Sequence, residues 1–270
     1  MTDTPLPILR LGTGSPLVLI PGLSGRHGVP GRLWRWLQRK EIVDLSVARE
    51  VWSIDRRSGL EPGITVAELA IEYAETIRSL FAEPVDIVGV STGGSIALQL
   101  AVDFPELIGR LVLVSAAYRL SDHGRLTQRN VATFLRSGRE RRAAALLLSN
   151  TAASRPRRVL LAAIGILGAR VVVGHHDDDL GVLLGTEDEF DLSARIGLIG
   201  APTLIAGGAR DRFYSATLFE ETAARIPNAE LIVYPRAGHI GTRGNRRLVR
   251  HILEFLQGAS ELKPSGRATS

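Results

Sequence analysis

The stretch VDIVGVSTGGSIALQL, from Val85 to Leu100, passes from a run of apolar residues through a cluster of small ones into a helical pattern. VDIVGV reads as a buried strand, and the residues from Ser91 to Phe104 read as a helix. Between them, Gly89-Val90-Ser91-Thr92-Gly93 has the form G-x-S-x-G. A sharp strand-to-helix turn strains its central residue and presses the flanking positions against neighbouring backbone, so both must be small. Gly89 and Gly93 meet that need, and Gly94 adds room beyond it. The helix start just after Ser91 supplies unpaired N–H groups and a positive dipole end, which suit a developing oxyanion. A glycine-rich phosphate loop is the competing reading. It lacks both the G-x-x-x-x-G-K-S/T pattern and an acidic signature for a ribose. The pentapeptide by itself does not decide between the two.

Outward from this turn, short apolar runs alternate with helical patterns. LPILRL and PLVLIP, joined by GTGS, read as a hairpin, and VWSID as a further short strand. The segment starting at Thr65 is amphipathic. Thr65 and Glu68 form a capping box, with Ala67, Ala70, Ile71, Ala74, Ile77 and Leu80 at helical spacing. RLVLVSA, PTLIAGG and ELIVYP complete the strands, with a helix from Ser215 to Ile226 between the last two and a final helix over roughly Asn245 to Leu256. Buried strands alternating with helices predict an α/β fold with a mostly parallel sheet. The alternation breaks between Tyr118 and about Gly197, where LTQRNVATFLRSGRERRAAALLLSN and RPRRVLLAAIGILGARVVV each read as a helix. The expected organisation is a core over 1–117 and 198–258, a helical cap over 118–197 and a flexible tail over 259–270.

Composition narrows the function classes. The 270 residues, 45% hydrophobic, suffice for one sizeable core with an inserted subdomain. The absence of cysteine excludes disulfides, thiol catalysis and Cys-ligated metals. The net charge of +5 comes from arginines dispersed among acids, which reads as arginine preference rather than a footprint for nucleic acid or a membrane surface. The densest basic region runs through Arg136, Arg139, Arg141, Arg142, Arg155, Arg157 and Arg158 and could form a local anion patch. The most apolar segment, Val159 to Val173, is too short to span a bilayer and contains Arg170. With no signal-peptide pattern at the N-terminus, the expected location is cytoplasmic. GHHDDD, Gly174 to Asp179, resembles a metal cluster in composition, but vicinal histidines diverge on regular backbone, and a polar cap loop is the expectation.

A serine needs a base, and the base an orienting acid, before it can attack a carbonyl. His239 follows a strand in YPRAGH and Asp211 follows a strand in PTLIAGGARD, at the strand ends where functional loops gather on a parallel sheet. Asp122, after the strand that follows the turn, is an alternative acid. Asp55 reads as a structural turn residue, and His123, His251 and Ser95 as surface or packing residues.

The order Ser, Asp, His, together with GVSTGG, APTLIAGGARD, IPNAELIVYPRAGH and LIPGLSG, resembles the α/β-hydrolase superfamily over nearly the whole chain. The resemblance implies an α/β-hydrolase fold with the cap inserted after the sixth core strand. It implies Ser91 as nucleophile, His239 as general base and then acid, and Asp211 as the residue that orients His239. The implied oxyanion donors are the backbone N–H groups of Thr92 and Leu23. Many relatives carry His-Gly where this chain has Pro21-Gly22, which keeps the backbone donor and removes an imidazole. Ser24 and His27 stand near that loop in sequence as pocket or surface positions.

The function this implies is a serine hydrolase. It would cleave a carboxylic ester or related acyl bond of a small to medium lipophilic substrate through an acyl-enzyme, with no metal or organic cofactor. A small-molecule acyl substrate is the expected partner; neither nucleic acid nor membrane is expected, and the oligomeric state is left open. The cap's apolar stretches could line a pocket or pack the cap onto itself. Fold likeness alone also allows lactonase, carbon–carbon bond hydrolase, cofactor-free haloperoxidase or acyltransferase chemistry, or a non-catalytic ligand-binding protein on the same fold. Haloalkane dehalogenases are disfavoured because Ser91 stands where they need aspartate. An iminopeptidase would need an acid placed for an amine, and the sequence offers no clear one.

Overall fold

The computed structural model describes residues 5–23, 43–174 and 179–258. Seven strands form one sheet: β1 (Ile8–Leu11), β2 (Pro16–Ile20), β3 (Glu50–Ile54), β4 (Val85–Val90), β5 (Ile108–Val114), β6 (Thr203–Gly208) and β7 (Ala229–Tyr234). Their spatial order is β1-β3-β2-β4-β5-β6-β7; β1 pairs antiparallel to β3 and every other pairing is parallel, so the first two strands are not the hairpin expected, because β3 inserts between them. The central strands are apolar on both faces because helices cover both. Along β2, Val18 and Ile20 enter the cluster that holds Tyr73, Ile77, Ile96, Leu100 and Phe219. Leu17 and Leu19 enter the opposite cluster with Val112, Val114, Ile252 and Phe255. Successive side chains of a strand point to opposite faces, so one apolar run serves two cores.

On the first face lie α1 (Val66–Leu80), α2 (Thr92–Asp103) and α8 (Ala216–Arg225). The Thr65–Glu68 capping box starts α1. The buried stripe of α1 is Val66, Leu69, Ala70, Tyr73, Ala74 and Ile77, while Ile71 is half exposed. The expected stripe through Ala67, Ile71 and Leu80 is thus rotated, because the larger Leu69 and Tyr73 turn inward. After β7 come α9 (His239–Arg243) and α10 (Leu248–Leu256).

The insertion between β5 and β6 carries α3 (Asp122–Arg136), α4 (Glu140–Asn150), α5 (Arg155–Leu167), α6 (Ala169–Val172) and α7 (Asp179–Glu189). Among the described residues it follows the fifth strand, one earlier than the sixth-strand position expected: the N-terminal region contributes only β1 and β2 before β3. Each long helix expected there is two. The first breaks at Gly138, which adopts φ 66°, and the second at Gly168. Val131, Ala132, Ala143, Ala144, Ala169, Val173, Leu180 and Leu184 form the insertion's own core, with Leu23 packed against it. Asp179 ties the insertion down by accepting the N–H groups of Gly59 and Leu60 at 2.8 and 2.7 Å. The other acids and both histidines of GHHDDD lie outside the described residues.

Candidate active site

Ser91 sits between β4 and α2 with φ 52° and ψ −122°, a backbone region that L residues rarely enter. The turn is held by Ser91 N–H donating to the Val114 carbonyl at 2.9 Å. A Cβ on Gly89 would come within 2.7 Å of Ala97 Cβ and the Gly93 carbonyl oxygen. One on Gly93 would run into the backbone of Ile20 and Pro21, so that glycine seats α2 directly against the start of the Pro21-Gly22 loop. Ser95 is fully buried one turn into α2, a packing position rather than a surface one.

His239 opens α9 and Asp211 follows β6. Ser91 Oγ lies 2.9 Å from His239 Nε2, and His239 Nδ1 lies 2.8 Å from Asp211 Oδ2. The other Asp211 oxygen, Oδ1, accepts the N–H groups of Phe213 and Tyr214 at 2.9 and 3.2 Å. The Asp211 carboxylate is an acceptor, so the proton of a neutral His239 belongs on Nδ1. Nε2 is left to accept from the Ser91 hydroxyl. Phe213 and Tyr214 flank the imidazole with ring centroids 5.0 and 6.0 Å away. Asp122 is fully exposed at the start of α3 and does not meet His239. Asp55 accepts the Arg56 backbone N–H, a structural turn role.

Gly22 brings its loop against the serine: a Cβ there would lie 3.2 Å from Ser91 Cβ. As the first residue of α2, Thr92 has no helical carbonyl behind it to accept its N–H. Sequence reasoning did not find the group beneath Leu23. Arg56 is completely buried and donates to the Pro21 and Gly22 carbonyls at 3.2 and 3.1 Å. In a trans peptide the C=O and N–H point opposite ways. With the Gly22 carbonyl drawn down to Arg56, the Leu23 N–H of that peptide is aimed away from the guanidinium.

A second unanticipated group is Glu187 of α7, buried beside the turn. Its Oε2 accepts from Thr92 Oγ1 at 3.0 Å and Gln128 Nε2 at 2.7 Å, and its Oε1 accepts from Tyr214 Oη at 2.8 Å. Three donors converging on two oxygens are what a buried carboxylate requires. Burial, and then the Glu187 charge, push the Tyr214 hydroxyl well above its ordinary range. Glu187 joins the insertion to both the Ser91 turn and the Asp211 loop. Ser115 is a third: it adopts φ 51° after β5, and its hydroxyl donates to the His239 carbonyl at 3.2 Å. Only its small size after an apolar strand could have flagged it.

The remaining candidates fall elsewhere. His123 meets Asn150 and Arg212 at 2.9 and 2.8 Å, and His251 stacks on Tyr234. Ser24 and His27 lie outside the described residues. A cleft of about 1110 Å³ runs between the N-terminal segment and α1, lined by Leu6, Ile8, Arg57, Ile71 and Glu72 among others, and includes none of Ser91, Asp211 and His239.

Residues 17–250 match the model of the Alpha/beta hydrolase family. The Mycobacterium tuberculosis H37Rv protein named "Putative non-heme bromoperoxidase BpoC" is 27% identical over 245 residues, covering 85% of this chain and 88% of its own. The crystal structure bearing that name superimposes with a TM-score of 0.76 at 25% identity, covering 96% of this chain and 98% of that one. A Klebsiella pneumoniae protein named "Putative carbamate hydrolase RutD" is 26% identical over 265 residues, covering 95% of this chain and 96% of its own. A thermophilic esterase from Thermogutta terrifontis shares the fold, with a TM-score of 0.74 at 22% identity over 94% of this chain and 93% of that one.

Proposed function

Because the chain belongs to the alpha/beta hydrolase family, we propose that it is a serine hydrolase cleaving a carboxylic ester or related acyl bond of a small to medium lipophilic substrate. The observation that carries this reading is the unbroken relay from Ser91 Oγ through His239 to Asp211, with separations of 2.9 and 2.8 Å. The strained backbone of Ser91 presents its hydroxyl at the apex of the turn.

In the first half-reaction the Ser91 oxygen attacks the substrate carbonyl carbon while its proton passes to His239 Nε2. The carbonyl oxygen takes up the displaced electron pair and is held by the Leu23 and Thr92 N–H groups. Asp211 stabilises the imidazolium through Nδ1. The tetrahedral intermediate collapses, the bond to the leaving group breaks, and His239 gives that group the proton. A water molecule then attacks the acyl-serine, passing its proton to His239, and the released Ser91 oxygen recovers it. Leu23, half-buried between the main core and the insertion core, supports a lipophilic acyl group beside the oxyanion loop.

The test is a panel of nitrophenyl esters of rising acyl length, with lactone and carbamate arms, on wild type and Ser91→Ala. Ester turnover abolished in Ser91→Ala, with fluorophosphonate labelling confined to Ser91, is the expected result. Wild type and variant equally inert on every arm, with Ser91 unlabelled, would overturn it in favour of a ligand-binding role.

A further inference from the structure

Helix α5 is mounted with its larger apolar side chains outward. Of its thirteen residues only Gly165 is buried. The helix approaches α4 so closely that a Cβ on Gly165 would lie 2.6 Å from the Ala144 carbonyl oxygen. That contact defines the inner face. Leu160, Ala163, Ile164 and Leu167, at i, i+3, i+4 and i+7, share the opposite face. Leu160 is 59% exposed and Leu167 89%, and Val159 beside them 73%. A water-facing helix would carry polar residues there. Isolated exposed aliphatics are ordinary, but a contiguous stripe marks a surface that something covers.

Charge selects what covers it. From Arg141 to Gly174 the chain contains six arginines and no carboxylate. Arg155 and Arg157 are exposed in the first turn of α5, and Arg170 is exposed just past its end. A second copy laid antiparallel along this stripe would set arginines against arginines, which disfavours self-association. An apolar stripe with Arg155 and Arg157 at one end and Arg170 at the other matches a lipid layer with anionic headgroups, where the aliphatics enter the acyl boundary and the guanidiniums stay among the phosphates. We propose that the outer face of α5 docks the protein onto an anionic membrane surface. Such docking needs no spanning segment. Among the described residues no helix is long and apolar enough to cross a membrane. The expectation of no membrane partner rested on the dispersal of the arginines along the sequence; the exposed stripe beside Arg155, Arg157 and Arg170 is a feature of the fold.

The experiment is co-sedimentation of the full chain with vesicles of phosphatidylcholine alone and of phosphatidylcholine mixed with phosphatidylglycerol. Binding to the mixed vesicles only, weakened by salt, is the expected result. Leu160→Ser with Leu167→Ser should lower the partition coefficient at least about tenfold. Arg155→Gln with Arg157→Gln should lower it roughly fivefold per arginine. Both variants should keep the wild-type thermal midpoint. Failure to bind mixed vesicles overturns the proposal. If light scattering then shows a dimer that Leu167→Ser dissolves, a second copy is the occupant. A steep fall in the thermal midpoint of the leucine variant also overturns it, because the stripe would then be covered by the chain itself.

Discussion

Helices α2 and α5 are nearly the same length and are both built from small and aliphatic residues: TGGSIALQLAVD in one, VLLAAIGIL after RPRR in the other. In α2 every residue from Thr92 to Val102 is buried. In α5 only Gly165 is. The difference lies in what each helix has to lean on. Glycines seat α2 against the sheet, Gly93 on the β2 backbone and Gly94 on Ala116, and the insertion closes over its start through Glu187. Among the described residues helix α5 packs chiefly on α4, and its one glycine meets the α4 backbone at Ala144. Apolar composition therefore does not report burial; the number of surfaces brought up to the helix does. The buried helix begins at the Ser91 turn, where the proposed catalysis needs positions held to a fraction of an ångström.

Substitutions on the two helices and their supports should respond accordingly. The largest effect should follow Asp211→Asn. It leaves the fold intact but favours the wrong His239 tautomer, and kcat for ester turnover should fall by about 10⁴-fold with the thermal midpoint unchanged. Gly93→Ala forces a methyl into the Ile20–Pro21 backbone and should cost about 3 kcal/mol in denaturant unfolding, with activity lost in parallel. Arg56→Met strands the Pro21 and Gly22 carbonyls and frees the Leu23 peptide to rotate. It should lower kcat by roughly 10²-fold with little change in KM, a split that simple destabilisation would not produce.

Tyr214→Phe removes one donor from Glu187 and should cost about 2 kcal/mol. The Tyr214 hydroxyl is raised in the fold, so its contribution is complete below the ordinary tyrosine range and is lost as pH rises through and beyond it. Thermal midpoints across an alkaline series should fall more steeply for wild type than for Tyr214→Phe. The smallest effect should be that of Leu167→Ser, within about 0.5 kcal/mol of wild type in denaturant unfolding. A loss comparable with Gly93→Ala would break the contrast between the helices.

The turn at Ser91 was legible as a tight strand-to-helix join because its small residues are local, but the five residues became a serine turn rather than a phosphate loop only beside Asp211 and His239 at their strand ends. The strands were legible from apolar runs, and the candidate partners Asp211 and His239 from their places at strand ends. The N-terminus of α1 was legible from Thr65 and Glu68, but its inward face was not. Spacing alone admits a stripe through Ile71 as readily as one through Leu69, and the sheet chose the larger residues. That Asp211 rather than Asp122 meets His239 was settled only in three dimensions, where one carboxylate reaches Nδ1 and the other lies in water. Arg56 beneath the Pro21-Gly22 loop and Glu187 across from Thr92 gave no sequence signal. The partners named for them lie 27 or more positions away, and no local period encodes a pairing of that range. The sequence alone determined the chemistry available along this chain, because strain, capping and strand pattern are short-range. The tertiary structure decided which groups meet and which apolar faces stay open, because both depend on distant segments arriving at the same place.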